Sequence, residues 1–264
     1  MTFPDDYVDK VICGDCLEVM KDIPDNSVDL VLTDPPYGIT ACEWDTVPDL
    51  AKLWEILKRI GKPNCVYVFT ASQPFTTDLI NSNRKWFKYE WIWDKGTGKD
   101  FVNCNRRPLK SHENILVFYG QRCAYNPQKI ENKLNSTIKR QLCKTGYQDS
   151  KSEHYGNCKA QKVYKDNLKF PISIIKCFTN NCNNQFQRIE THPTQKPIEL
   201  MKYLVLTYSN PGDIILDPFA GSGTTLVAAK DLDRRFIGFE INQSYVDICN
   251  KRLEAVQLRL EGIR

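Results

Sequence analysis

The chain has no apolar run approaching the roughly 18 residues that a membrane-spanning helix needs. Its first ten residues, MTFPDDYVDK, are too acidic and polar for a secretory leader. Together these absences lead to the expectation of a cytoplasmic protein with no membrane partner. A disulfide framework is missing as well, because the 11 cysteines are odd in number and scattered, which suits reduced thiols. Zinc spacing is absent too: Cys13 and Cys16 make one CxxC with no second pair, and His154, Cys158, Cys177 and Cys182 match no zinc pattern. No metal is therefore expected. Internal repeats and low-complexity tracts are also lacking.

What remains is the composition of an ordinary globular protein, 41% hydrophobic and 26% charged. Its 264 residues are enough for one large core, or a core with an appended lobe. The formal net charge of +4 hides an asymmetry: residues 121–170 carry a net +7 and the rest of the chain a net −3. That basic stretch is polar, has no sustained helical or strand period, and interleaves Tyr125, Tyr147, Tyr155 and Tyr164 with its cations. Such a composition suits a surface that follows a phosphate backbone, with rings available for stacking. A solvated insertion has the same composition, so both readings stay open here. The next most basic stretch is 95–112, with Lys95, Lys99, Arg106, Arg107 and Lys110.

On either side of the basic stretch, strand and helix signals alternate. Short apolar runs at 10–15, 28–34, 65–71, 89–95, 114–120, 213–219 and 235–241 are bounded by Gly, Asp or Pro, as buried strands are. Helical periodicity appears at 50–61, which stops on Gly61 and Pro63, and again at 197–209, 224–233 and 244–260. The alternation predicts an α/β fold with a mostly parallel sheet.

Two segments stand out within that pattern. LVLTDPPYG, residues 30–38, follows an apolar run with a carboxylate, two residues without a backbone N–H, and an aromatic ring. A strand-ending turn accounts for the residue types but leaves the ring unexplained. DIILDPFAGSGTTLVAAKDLDRRFIGFEIN, residues 213–242, runs from a strand through Gly221 and Gly223 into a helix and back to a strand ending at Glu240. That is the layout of a nucleotide-binding unit, in which glycines let a ligand approach the backbone and an acid at the second strand's tip accepts ribose hydroxyls. The third glycine of the dinucleotide fingerprint is missing. Asp217 at the loop's start would repel a pyrophosphate and favours a cationic ligand. A plain turn of an α/β sheet is the alternative.

DPPY at 34–37, DPFAGSGTT at 217–225, GFEIN at 238–242 and HPTQKPIELM at 192–201 together resemble the DNA amino-methyltransferases that use S-adenosyl-L-methionine. The match is to the permuted (beta) group, in which the catalytic motif precedes the cofactor motif. GDCLEVMKDIPDNSVDLVLTDPPYG and KSHENILVFYG extend the likeness to nearly all of the chain outside about 121–190. The resemblance implies a Rossmann-like methyltransferase fold with a mixed, mostly parallel seven-stranded sheet and a circularly permuted motif order. It implies a catalytic domain of residues 1–120 and 191–264, interrupted by a target-recognition region at 121–190.

The same resemblance assigns roles. Asp34, Pro35, Pro36 and Tyr37 are the expected catalytic residues. Asp217, Pro218, Phe219, Gly221, Gly223, Thr224, Glu240 and Asn242 are expected around the cofactor, with Thr194 and Lys196 near its methionine carboxylate and Asp15 at its adenine. A helix N-cap for the segment after it is the other reading of Asp15. Lys129, Lys133, Lys139, Arg140 and Lys144 are expected to contact double-stranded DNA. His192 is expected to be structural. A homodimer and a cognate restriction endonuclease remain open as further partners.

The chemistry of the motif follows from the nucleophile. An exocyclic amino nitrogen is weak because its lone pair is delocalised into the base. An Asp34 carboxylate and the Pro35 carbonyl, each accepting one amino hydrogen, let the nitrogen pyramidalise. The base must leave the helix to be reached, and Tyr37 offers it a ring face. None of the 14 prolines precedes a cysteine, which separates the chain from cytosine-C5 enzymes with their Pro-Cys nucleophile. In the related families Asp at the first motif position goes with adenine N6, and cytosine N4 is the runner-up. A catalytically silent nucleic-acid-binding relative would have lost Asp34, Tyr37 or the glycine loop, and all three are intact.

Overall fold

The structure, a computed structural model, describes residues 2–40, 42, 45–99, 101–131, 151–152, 156–157, 168–176 and 195–260. It divides into two compact units, Met1–Asn126 with Ser173–Arg264, and Pro127–Ile172.

The first unit is built on one sheet. Its strands are β1 (Lys10–Cys13), β2 (Val28–Thr33), β3 (Gly61–Ala71), β4 (Phe87–Lys99) and β5 (Lys110–Tyr119). In the second unit β6 (Ile130–Glu131) pairs with β9 (Leu168–Lys169), and β7 (Lys151–Ser152) with β8 (Gly156–Asn157). The first unit resumes with β10 (Ile174–Lys176), β11 (Ile214–Asp217) and β12 (Arg235–Glu240). The helices are α1 (Cys16–Val19), α2 (Leu50–Ile60), α3 (Phe75–Ser82), α4 (Ile198–Tyr208), α5 (Thr224–Asp231) and α6 (Gln243–Leu260).

The sheet order is β1-β12-β11-β2-β3-β5-β4-β10. Strands β1, β12, β11, β2 and β3 run parallel, β5 is antiparallel to both its neighbours, and β10 is parallel to β4. Strands from the end of the chain thus lie between β1 and β2 from its beginning. Eight strands are present where the sequence predicts seven. The eighth, β10, pairs Ile174–Lys176 with Ile92–Asp94 and covers backbone groups that an edge strand would leave open.

Two-residue periodicity explains the layers. Leu30, Leu32, Val66 and Val68 face one core, shared with Leu200, Leu204, Leu226, Ala229 and Leu253 of α4, α5 and α6. Val31, Tyr67 and Phe69 face the other, shared with Met20, Trp54, Leu57 and Phe75 from the α1 to α3 side. Helix α2 shows why such a segment folds as it does. Asp49 caps its first turn by accepting from the Ala51 and Lys52 N–H groups at 3.1 and 3.2 Å. Leu53, Trp54, Leu57 and Ile60 then form its buried stripe, each side chain worth about 1.5–3 kcal/mol of burial. This two-sided covering leaves the strand ends as the open rim of the sheet.

Candidate active site

The carboxyl ends of the parallel strands carry the acidic residues in spatial order. Asp15 follows β1, Glu240 ends β12, Asp217 ends β11, and Asp34 follows β2. Strand β5 runs the other way, so its early residues reach the same rim, with Asn114 opposite Ala71 at the end of β3 and Glu113 opposite Trp93. Open α/β sheets bind ligands at this rim.

On the β2–β3 side, Asp34 is held by side chains. Its Oδ1 accepts from the Tyr37 hydroxyl at 2.6 Å and from the Thr70 hydroxyl. Its Oδ2 accepts from Lys196 Nζ at 2.5 Å. Lys196 is only 8% exposed and also lies 3.5 Å from Glu113, whose other oxygen pairs with Lys95. Negative and positive groups therefore alternate from Asp34 through Lys196 and Glu113 to Lys95. Burial alone would lower the Lys196 pKa, but Asp34 and Glu113 outweigh it and raise the pKa above its ordinary value, so the ammonium stays charged. Burial and then the Asp34 charge push the Tyr37 hydroxyl well above its usual range, which keeps it a donor. The Tyr37 ring stacks on Phe75 at 5.5 Å between centroids, and Lys196 Nζ lies 5.6 Å from it. In the structure that ring packs on Phe75, and its polar end serves Asp34.

On the β11–β12 side the backbone supplies the donors. Glu240 Oε2 accepts from the Gly221 N–H at 2.8 Å, and Oε1 from the Asn242 N–H at 2.9 Å. Gly221 and Gly223 have φ of +52° and +79°, the left-handed region that disfavours side chains. A Cβ on Gly223 would lie 2.0 Å from Cys249 Sγ of α6, so this glycine is also required by packing. Asp217 is 2% exposed and accepts from the Thr33 hydroxyl at 2.6 Å and the Phe219 N–H at 3.1 Å. Burial pushes its pKa up to about 6 against those bonds. The Thr33 bond ties the glycine loop to the residue preceding Asp34.

Several expected site residues carry structural bonds of their own. The Asp15 carboxylate accepts from the Leu17 N–H at 2.9 Å and caps α1, the alternative weighed for it. Asn242 Oδ1 accepts from the Ser244 N–H and hydroxyl at the start of α6. Thr224 Oγ1 accepts from Arg252 at 3.3 Å. Pro35 and Pro218 are buried, while Pro36 and Phe219 are partly exposed in the turns beside Asp34 and Asp217. Lys129 Nζ lies 5.0 Å from the centre of the Phe170 ring. Thr194, His192, Lys133, Lys139, Arg140 and Lys144 lie outside the described residues, as do His154, Cys158, Cys177 and Cys182.

Sequence reasoning missed Thr33, Thr70, Glu113 and Arg252. Thr33 had a signal, since it directly precedes the motif. Arg252 Nη1 donates to the Ser222 carbonyl and hydroxyl and so braces the glycine loop from α6, 30 residues further on. Nothing local marks it. Cys13 is exposed and Cys16 buried, so the CxxC does not present two thiols to one ligand.

A family model described as DNA methylase matches residues 28–251, which takes in both halves of this rim. The chain belongs to the DNA amino-methyltransferase family. Its motifs Asp34–Tyr37 and Asp217–Thr225 both fall within the matched range. The methylase is 31% identical to the Type II methyltransferase M.BglII of Bacillus subtilis, over 94% of its own length and 69% of that protein. It is also 31% identical to the DNA adenine methyltransferase YhdJ of Escherichia coli K12, over 92% and 82% of the two chains. Among solved structures, the M1.HpyAVI–SAM complex aligns with a TM-score of 0.60 at 25% identity, covering 92% of the methylase and 98% of that chain. The cytosine-N4-specific PvuII DNA methyltransferase aligns at 0.63 and 17% identity, over 94% and 89%, a likeness of fold. Among the described residues no helix is long and apolar enough to cross a membrane.

Proposed function

We propose that this methylase transfers a methyl group from S-adenosyl-L-methionine to the exocyclic N6 of an adenine turned out of duplex DNA. The observation that carries the reading is the Asp34 carboxylate, fixed at the rim by Tyr37, Thr70 and Lys196. The 31% identity to an adenine methyltransferase supports adenine over cytosine.

The residues present fit the cofactor. A Cβ on Gly221 would meet no heavy atom within 4 Å, so the backbone beside Glu240 is open to a ligand. Carboxylates at four neighbouring strand ends suit a cation and would repel a pyrophosphate. When bound, S-adenosyl-L-methionine supplies an electrophilic methyl group on a sulfonium. Glu240 would hold its ribose, Asp15 its adenine, and Asp217 with Gly221 and Gly223 the loop beneath it. Among the described residues Asp34 takes one Lys196 donor and Glu113 lies at ion-pair distance, 3.5 Å, so the ammonium is suited to the cofactor's carboxylate as well.

Asp34 does the chemistry. A carboxylate has about four acceptor sites, and the three described bonds leave one for an amino hydrogen of the base. As the nitrogen becomes positive in the transition state, that bond strengthens. Tyr37, Thr70 and Lys196 are neutral or cationic donors that hold the carboxylate aimed. Residues 121–190 are proposed to recognise the target sequence, with the net positive charge of 121–170 following the phosphates.

Expression in a methylation-free bacterial strain, followed by nucleoside mass spectrometry and long-read mapping, tests the reading. N6-methyladenine at one short sequence is the expected product. N4-methylcytosine would overturn the base assignment, and unmodified DNA would favour the catalytically silent relative.

A further inference from the structure

Asp45 forms no part of either motif, yet it is the most heavily bonded carboxylate of the rim. Its Oδ1 accepts from the N–H groups of Tyr37 at 2.7 Å and Gly38 at 2.9 Å. Its Oδ2 accepts from those of Ile39 at 2.9 Å and Thr40 at 2.7 Å. Four consecutive backbone donors thus converge on one side chain that is only 7% exposed. Successive N–H groups can converge in this way only if the chain curls into a concave nest, which usually cradles an external anion. Here the chain provides its own anion, from five to eight residues further along.

Gly38 makes the curl possible. Its φ is +68°, and a Cβ there would lie 2.8 Å from Val47 Cγ2, beyond Asp45 in the chain. The curl begins at Tyr37 itself, so Asp45 holds the main chain of the same residue whose hydroxyl holds Asp34. Tyr37 is then pinned at its amide by Asp45, at its ring by Phe75 and at its hydroxyl by Asp34 and Thr70. Buried carboxylates are costly unless hydrogen-bonded, and this one is satisfied by dipoles. Burial acts to raise its pKa, but the bonds from Thr40, Gly38 and Tyr37 outweigh it and hold the group below the usual carboxylate range.

We infer that Asp45 is a positioning residue for methyl transfer: it shapes residues 37–40 into a turn around its carboxylate and thereby sets Tyr37 against Asp34. The inference rests on the proposed role of Asp34. Asp45 touches neither base nor cofactor; it acts through Tyr37. Misplacing a catalytic group by about 1 Å can cost on the order of 100-fold in rate, whereas the cofactor loop lies on other strands.

The test compares full-length Asp45→Ala and Asp45→Asn with the wild type. The asparagine keeps the shape but turns one acceptor into a donor facing N–H groups. Three readouts are taken: turnover, cofactor affinity by calorimetry, and hydrogen exchange of amides 37–40 against those of β2 and β3. The expected result is a turnover lower by about 30-fold or more, with cofactor affinity within about twofold. Amides 37–40 should lose protection while residues 31–33 and 66–70 keep it. Asp45→Glu, which keeps the charge on a longer arm, should recover part of the turnover. Turnover within about threefold of wild type in folded Asp45→Ala would overturn the inference. So would a joint loss of cofactor affinity and of β2 protection in Asp45→Asn, which marks general destabilisation. The exchange readout needs no DNA. A wild type that methylates cytosine would change the proposed substrate and leave the Asp45 comparison intact.

Discussion

The two halves of the rim hold their carboxylates by different means. On the β11–β12 side, Glu240 is fixed by the Gly221 and Asn242 N–H groups, 19 and two residues away. On the β2–β3 side, Asp34 is fixed by the side chains of Tyr37, Thr70 and Lys196, the last 162 residues away. Backbone donors come with the fold of a short loop and are hard to remove by substitution. Side-chain donors depend on several elements meeting, and each can be deleted alone. The difference matches the work proposed for each half: a binding pocket needs an open backbone cradle, and a catalytic carboxylate needs donors fixed around it from several elements. Asp217 stands between the two, its Thr33 bond crossing from one half to the other.

The largest test of this contrast is Asp34→Ala. It should lower turnover by about 10³-fold or more, since it removes an interaction that strengthens in the transition state, while cofactor affinity by calorimetry stays within about twofold. Comparable losses in both quantities would erase the division between the halves. Asp217→Asn comes next. Burial places the Asp217 pKa in the folded protein at about 6, above the ordinary aspartate value of 3.8. Its contribution is therefore full below pH 4 and is lost as pH rises through 6. That shift amounts to about 3 kcal/mol. Thermal melting between pH 4 and 7 should show the wild type losing this stability as pH rises, with the fall reduced in the variant. An identical slope in both proteins would show that Asp217 is not the titrating group. Glu240→Ala is the smallest, weakening cofactor binding by about 1.5–3 kcal/mol for a lost pair of charge-assisted bonds. Unchanged affinity in the folded variant would remove Glu240 from the ribose.

Wherever periodicity and punctuation act together, the fold was legible in the chain. Helix α2 reads from Asp49 to Gly61, and β2, β3, β11 and β12 read as apolar runs ending in Thr, Ala, Asp and Glu. The outer parts of β4 and β5 did not, because the pairing of Lys99 with Lys110 joins polar segments with no apolar period. Strand β10 was invisible for a related reason: it is three residues long, and its partner edge supplies the stability.

The candidate site divides along the same line. Sequence alone singled out Asp34, Tyr37, Asp217, Gly221, Gly223 and Glu240 as candidates, since these lie in two short motifs at turns and strand ends. Tertiary structure alone decided what surrounds them. Thr70 and Glu113 reach Asp34 and Lys196 because β3 lies beside β2 in the sheet and β5 beside β3, and Arg252 reaches Ser222 because α6 packs on α5. Asp45 lies only eight residues from Tyr37, yet its role also depended on the folded chain. A carboxylate in a loop gives no sign of how many N–H groups will turn toward it. That number depends on backbone curvature, which Gly38 permits and only the packed structure imposes.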